Sequence, residues 1–77
     1  MPITKDDFKR GLNDEVKKVL NFLLENKDNA FTSKEISVAL GLGLDNIVEI
    51  LRYLRGKKYA QVKEIGGSFY YIFERMP

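Results

Sequence analysis

Phe31 to Leu54 reads FTSKEISVALGLGLDNIVEILRYL, and these residues set the architecture of the chain. Thr32 is followed three positions later by Glu35. At that spacing a threonine oxygen and a glutamate carboxylate reciprocally satisfy two backbone donors that a helix start leaves orphaned. A first helix therefore begins within a residue or two of Thr32. Ile36, Ala39 and Leu40 fall on one of its faces. Gly41 stands where only a residue without a Cβ turns cheaply into the left-handed conformation, so the chain changes direction there. Beyond the turn, Ile47, Leu51 and Leu54 recur at helical spacing. A second helix is expected to lay this apolar face against the first across the bend.

On the C-terminal side, Gly56-Lys57-Lys58 ends the second helix and Tyr59-Ala60-Gln61-Val62 begins a strand. Ile65-Gly66-Gly67-Ser68 signals a hairpin, because a two-residue turn of the primed type needs positive φ at its centre and two glycines supply it without steric cost. In that register Val62 faces Tyr71 and Glu64 faces Phe69. Phe69, Tyr71 and Phe73 then share a face with Val62, and Tyr70 and Ile72 share the other, whereas a bulge or a longer loop would reverse the assignment. In a domain this small the first set is expected to cover the helix layer as core. Base stacking by the aromatic run is the competing reading.

On the N-terminal side, Asn13 is placed to cap a helix that runs to about Asn26, with Val16, Val19, Leu20, Leu23 and Leu24 as its apolar stripe. Lys27-Asp28-Asn29 is a polar break. Thr4 with Asp7 is placed to start a short extra helix carrying Phe8 and Leu12, which Gly11 would weaken or end. A frayed tail, a docked helix and an arm that reaches a second copy all remain open for residues 1–12. The expected organisation is this segment followed by one domain over 13–77.

The spacing of Thr32, Glu35-Ile36, Leu40-Gly41-Leu42, Ile47, Leu51 and Leu54, with the aromatic hairpin at Gly66-Gly67, resembles the winged helix-turn-helix domains of small bacterial and archaeal transcription regulators. The resemblance spans roughly Asn13 to Glu74. It implies an α+β fold of three helices and a C-terminal two-stranded wing, with a very short third strand at Ala30-Phe31 pairing with the wing. It also implies binding of double-stranded DNA, although winged helices also bind RNA and proteins. Two positions depart from the family pattern. Lys58 stands where related domains usually carry a glycine, so either the helix ends a turn early or the loop is shaped differently. Gly43 stands where most members place a serine or threonine after the Gly-Leu turn, which removes a hydroxyl contact.

Composition narrows the function independently. A chain of 77 residues forms one domain, and at this size only about 60% of the unfolded surface is buried, so nearly every regular apolar position must be core. It has neither Cys nor His, so disulfides, thiolate or imidazole metal ligands and the commonest general base are absent. No apolar run approaches the roughly 18 residues of a membrane span, and MPITKDDFKR lacks the apolar core of a secretion signal. A soluble cytoplasmic protein is expected. No carboxylates form a motif that would split their acidities, and no Gly-rich phosphate loop follows a strand, since Gly41 and Gly43 separate two helices. Neither an enzyme, nor a cofactor, nor a small-molecule effector is expected. With Pro77 following directly on the wing strand, any regulatory signal is expected to come from a partner, from concentration or from competition for the site.

The net charge is only +2, but it is unevenly placed. Residues 1–31 balance six basic against six acidic residues, residues 32–51 carry a net minus two, and residues 52–77 carry six basic and two acidic residues. Arg52, Arg55, Lys57, Lys58 and Lys63 therefore read as an electrostatic footprint for phosphates. With Ile47, Leu51 and Leu54 inward, the surface offered to a major groove comprises Gly43, Leu44, Asp45, Asn46, Val48, Glu49, Arg52 and Tyr53. Only Asn46 and Arg52 belong to the residue types that read base edges best. Asp45 and Glu49 are repelled by phosphates unless they accept from cytosine. The expected DNA contacts are Lys34, Asp45, Asn46, Glu49, Arg52, Tyr53, Lys57, Lys58, Lys63 and the wing tip at Ser68. The alternative is a protein-interaction module within a larger complex that uses apolar surface at Leu44, Val48, Ile50 and Val38, with simple burial of that surface against the N-terminal segment as its competitor; separately, a homodimer through the first helix or the N-terminal segment is open on symmetry grounds.

Overall fold

The computed structural model describes the backbone of residues 5–77 and the side chains of residues 14–77. It has three helices followed by an antiparallel hairpin: α1 (Lys5–Glu25), α2 (Ser33–Leu40), α3 (Leu44–Gly56), β1 (Ala60–Ile65) and β2 (Ser68–Phe73). This α+β layout is consistent with a winged helix. α1 is continuous through Gly11 and Asn13, which corrects the expected short extra helix and places Asn13 inside the helix instead of at its cap. A single glycine costs a helix only about 0.5–1 kcal/mol relative to alanine, too little to interrupt 21 residues. The expected start at Thr4 and the side chains of Phe8 and Leu12 lie outside the described residues.

The start of α2 is built as the sequence implies. The Thr32 side chain accepts from the Glu35 amide at 3.2 Å while the Glu35 carboxylate accepts from the Thr32 amide at 2.9 Å. Gly41 closes the helix at φ 67°, donating its N–H to the Ser37 carbonyl. The Leu42 amide donates to the same carbonyl at 3.2 Å. Two donors on one acceptor fix the bend that sends the chain into α3.

The core joins Val19, Leu20 and Leu23 of α1, Ile36 of α2, Ile47, Ile50, Leu51 and Leu54 of α3, and Ala60 of β1. Each fully buried aliphatic side chain contributes about 1.5–3 kcal/mol relative to leaving it exposed. α3 buries a wider stripe than Ile47, Leu51 and Leu54 alone because it packs against both α1 and α2, and Ile50 fills the added width. α2 buries a narrower one: Ile36 is enclosed and Leu40 is half-buried, but Ala39 faces solvent, contrary to expectation.

The hairpin has the expected register, with Val62 opposite Tyr71 and Glu64 opposite Phe69. Gly66 and Gly67 take φ values of 60° and 84° in the two-residue turn. The third strand is a single bridge, in which Phe31 and Tyr71 exchange backbone hydrogen bonds of 2.9 and 2.7 Å. That bridge ties the wing to the helices, and the Phe22 and Phe31 rings, 4.9 Å apart and tilted by 55°, extend the contact. Tyr71 and Phe73 pack on the core as expected. Phe69 does not; it is 56% exposed. The hairpin tip projects past the helix layer, so a residue beside the turn has no helix beneath it.

α3 ends at Gly56-Lys57-Lys58 as the sequence reading places it, but Lys58 takes the left-handed conformation itself. Gly56 is the last helical residue, and the left-handed turn is made by Lys58 at φ 65°. The Tyr59 amide donates to the Leu54 carbonyl at 2.9 Å and the Lys58 amide to the Arg55 carbonyl at 3.0 Å. These are the paired bonds of a Schellman ending, with a lysine at the position that favours glycine.

Candidate nucleic-acid interface

α3 is aimed by what precedes it. The Ser37 hydroxyl donates to the Leu42 carbonyl, holding the inter-helix turn, and Gly43 caps α3 in an extended conformation without a side-chain hydrogen bond. With Ile47, Ile50, Leu51 and Leu54 inward, the helical repeat puts Asp45, Glu49 and Arg52 at the outer crest, Leu44, Val48 and Arg55 on the flank toward the wing, and Asn46, Tyr53 and Lys57 on the opposite flank. Leu44, Asp45, Asn46, Val48, Glu49, Arg52 and Tyr53 are all exposed, as the sequence reading requires. Ile50 is the exception among the apolar contact candidates. At 2% exposure it is core and offers nothing to a partner.

The cations do not form one stripe. Lys34, at the start of α2, and Ser68, at the wing tip, line the same cleft as Val48, Phe69 and Tyr71. This cleft continues along α3, where Arg52 and Arg55 join the same three apolar residues. Among the described residues, no carboxylate lines either part. The result is an apolar floor between α3 and the wing with ammonium and guanidinium groups around it. Lys63 is elsewhere. Strand alternation turns it to the outer face of the wing, beside Tyr70 and Ile72, so it does not join the cleft.

Lys57 and Lys58 sit past the end of α3, where the tail holds their backbone. The Arg75 guanidinium donates to the Lys57 and Lys58 carbonyls at 3.3 and 3.2 Å and lies 5.7 Å from the Tyr59 ring centroid. Both lysine side chains are exposed, and Lys57 Nζ lies 6.0 Å from the Tyr53 ring centroid. An exposed cation–π contact contributes about 0.5–1 kcal/mol, enough to bias where Lys57 points but not to hold it against a phosphate.

Two residues of this surface were absent from the expected contact set. Arg55 was read only as part of the basic run, although its place on the helical repeat beside Val48 puts it on the wing side. Phe69 was read as core. The signal that could have found it is its distance from the Gly-Gly turn, two positions from the tip, where a hairpin has usually outrun the layer it covers. Among the described residues, no group of acidic side chains could hold a metal ion, and no helix is long and apolar enough to cross a membrane. Compared with known proteins, the chain matches no protein-family model and no curated protein.

Proposed function

We propose that this protein is a small winged helix-turn-helix protein that binds double-stranded DNA and acts as a transcriptional regulator in the cytoplasm, without catalysis. The observation that carries the reading is the cleft between α3 and the wing, lined by Lys34 in one part and by Arg52 and Arg55 in the other, with no carboxylate lining either among the described residues. In this reading α3, from Asp45 to Arg55, enters the major groove. Asn46, Arg52 and Tyr53 are the residues able to touch base edges, with Asp45 and Glu49 restricted to accepting from cytosine. Lys34 and Ser68 meet one stretch of backbone, and Lys57 and Lys58 meet another. A module of this size buries only about 600–1,000 Å² of protein surface on DNA, so sequence-specific control calls for a dimer or a neighbouring protein.

The test is a titration of mixed-sequence duplex at two salt concentrations, comparing wild type with the charge reversals Lys57→Glu/Lys58→Glu and Lys63→Glu. Loss of two phosphate contacts should lower affinity on all sequences and reduce the salt slope by about two units. Lys63→Glu, on the outer wing face, should do less. Duplex affinity that ignores Lys57 and Lys58 would reject this docking.

A second reading, a protein-interaction module, is favoured by one observation: Val38 on α2 and Leu44 at the start of α3 are 75% and 46% exposed. Changing Val38 and Leu44, which lie outside the cleft, to Ser separates the two readings. Loss of a pull-down partner with duplex affinity intact selects protein interaction.

A further inference from the structure

Phe69 is a large aromatic side chain, 56% exposed, in a cleft whose charged lining groups among the described residues are Lys34, Arg52 and Arg55, with Glu64 as its cross-strand neighbour on the wing. The duplex reading leaves it unused. In a double helix the faces of the bases are covered by their neighbours, and what lies open is phosphate, sugar and base edge. An aromatic ring set among guanidinium groups suits a different ligand, a strand whose bases are free to stack while its phosphates lie along the basic rim. We infer that the cleft between α3 and the wing binds single-stranded nucleic acid, with an unpaired base stacked on Phe69 and the flanking phosphates held by Lys34, Arg52 and Arg55. The inference rests on the assignment of this face to nucleic acid and goes beyond the duplex reading, giving the cleft a single strand as a ligand besides the duplex that α3 meets.

Three features of the cleft favour this occupant over an acidic peptide. The cations are spread from the start of α2 to the last turn of α3, which suits a repeating charge better than a single carboxylate cluster. The hydroxyls of Thr32, Ser33 and Ser68 line the cleft as well, and hydroxyls bond phosphate oxygens readily. Among the described residues the apolar floor consists of Val48, Phe69 and Tyr71, an open surface on which a flat base lies without the deep sockets that peptide anchor side chains fill.

The wing supplies its own control. Ile65 is also 56% exposed and flanks the same Gly-Gly turn, but it is on the opposite face of the hairpin. Greasiness of the tip alone predicts equal effects at Ile65 and Phe69, whereas stacking in the cleft predicts an effect at Phe69 only.

The experiment uses the full chain with a fluorescein-labelled thymidine oligomer of about ten nucleotides, a length within the site sizes of single-strand binders, and a mixed-sequence duplex as the second probe. Phe69→Ala should weaken oligomer binding about 5-fold to 150-fold, the range expected for losing one stacked base, while Ile65→Ala leaves it unchanged. The protein has no Trp, so Phe69→Trp introduces a single indole reporter, and stacking should quench its emission when the oligomer binds. Circular dichroism melts confirm that each variant folds. Equal effects of the two alanine variants, or an indole that binding does not quench, would overturn the inference. So would equal quenching by polyglutamate, which would point to an acidic protein partner. Duplex binding sensitive to Lys57 and Lys58, with no oligomer binding, leaves the proposed function standing and removes only this inference. If neither probe binds, both fall.

Discussion

Lys58→Gly should make this protein more stable and, on the proposed reading, weaken duplex binding. Lys58 has φ 65°, the left-handed region, and is the only described residue other than glycine with positive φ. A side chain with a Cβ costs about 1–2 kcal/mol there. Glycine removes that strain but widens the freedom of the unfolded chain, which returns about 0.4–1 kcal/mol. The net gain is about 0–1.6 kcal/mol with a midpoint of about 0.8 kcal/mol, which corresponds to a rise in Tm of about 3–6 °C for a domain of this size. The hydrogen bonds of the turn run through backbone atoms and survive the change. They join Tyr59 to Leu54, Lys58 to Arg55 and Arg75 to the Lys57 and Lys58 carbonyls. Lys58→Ala is the control, because it removes the charge and keeps the Cβ. Thermal melts and urea titrations should rank glycine above both alanine and lysine. Duplex titrations should show the two variants equally weakened, each with a salt slope reduced by about one unit. Should Lys58→Gly melt no higher than Lys58→Ala, the strain assigned to this turn is wrong. Should only one variant lose affinity, the lysine does not act on DNA through its charge.

Two further substitutions probe the fold that carries the site. Gly41→Ala meets no atom within 4 Å of the new Cβ, so its whole cost is conformational, about 1–2 kcal/mol; Gly56→Ala, helical and equally unobstructed, should instead stabilise by about 0.5–1 kcal/mol, and urea melts of the pair check the sign of each. Ile50→Ala should cost about 2–5 kcal/mol as a core truncation, whereas Leu44→Ser should stay within about 0.5 kcal/mol as a surface change. Similar melts for these two would return Ile50 to the surface.

The helix-turn-helix and the hairpin register could be read directly because local chemistry specifies them. A capping box needs only Thr32 and Glu35, a left-handed helix end needs only Gly41, and a primed turn needs only Gly66 and Gly67. Each device acts within a few residues, so no knowledge of the rest of the chain is required. The misread positions are those where a distant element has the deciding vote. Ile50 is buried because α1 lies across a second side of α3, which the spacing within α3 does not announce. Asn13 looked like a cap because asparagine commonly is one, but helical residues on both sides override a preference of about 1 kcal/mol. Lys58 was recognised as standing where a glycine was due. That the loop would keep its shape and absorb the strain depended on Tyr59, Leu54 and Arg75 closing around it.

The contact surface shows the same division. Which side chains α3 turns outward follows from the helical repeat, and seven of the expected exposed positions from Leu44 to Tyr53 are exposed. The cleft follows from where the wing sits, and a single bridge between Phe31 and Tyr71 ties it to the helices. The crest of α3 carries two carboxylates, Asp45 and Glu49, that oppose phosphate approach. The flank facing the wing has Arg55, neutral Val48 and no acid. An approaching polyanion is therefore drawn toward the wing side of α3 and away from its N-terminal crest. Phe69 lies on that path. The Gly-Gly turn that sets the strand register also carries this ring past the helix layer, so the residue taken for core by its alternation is an open aromatic face in the cleft that Lys34, Arg52 and Arg55 line.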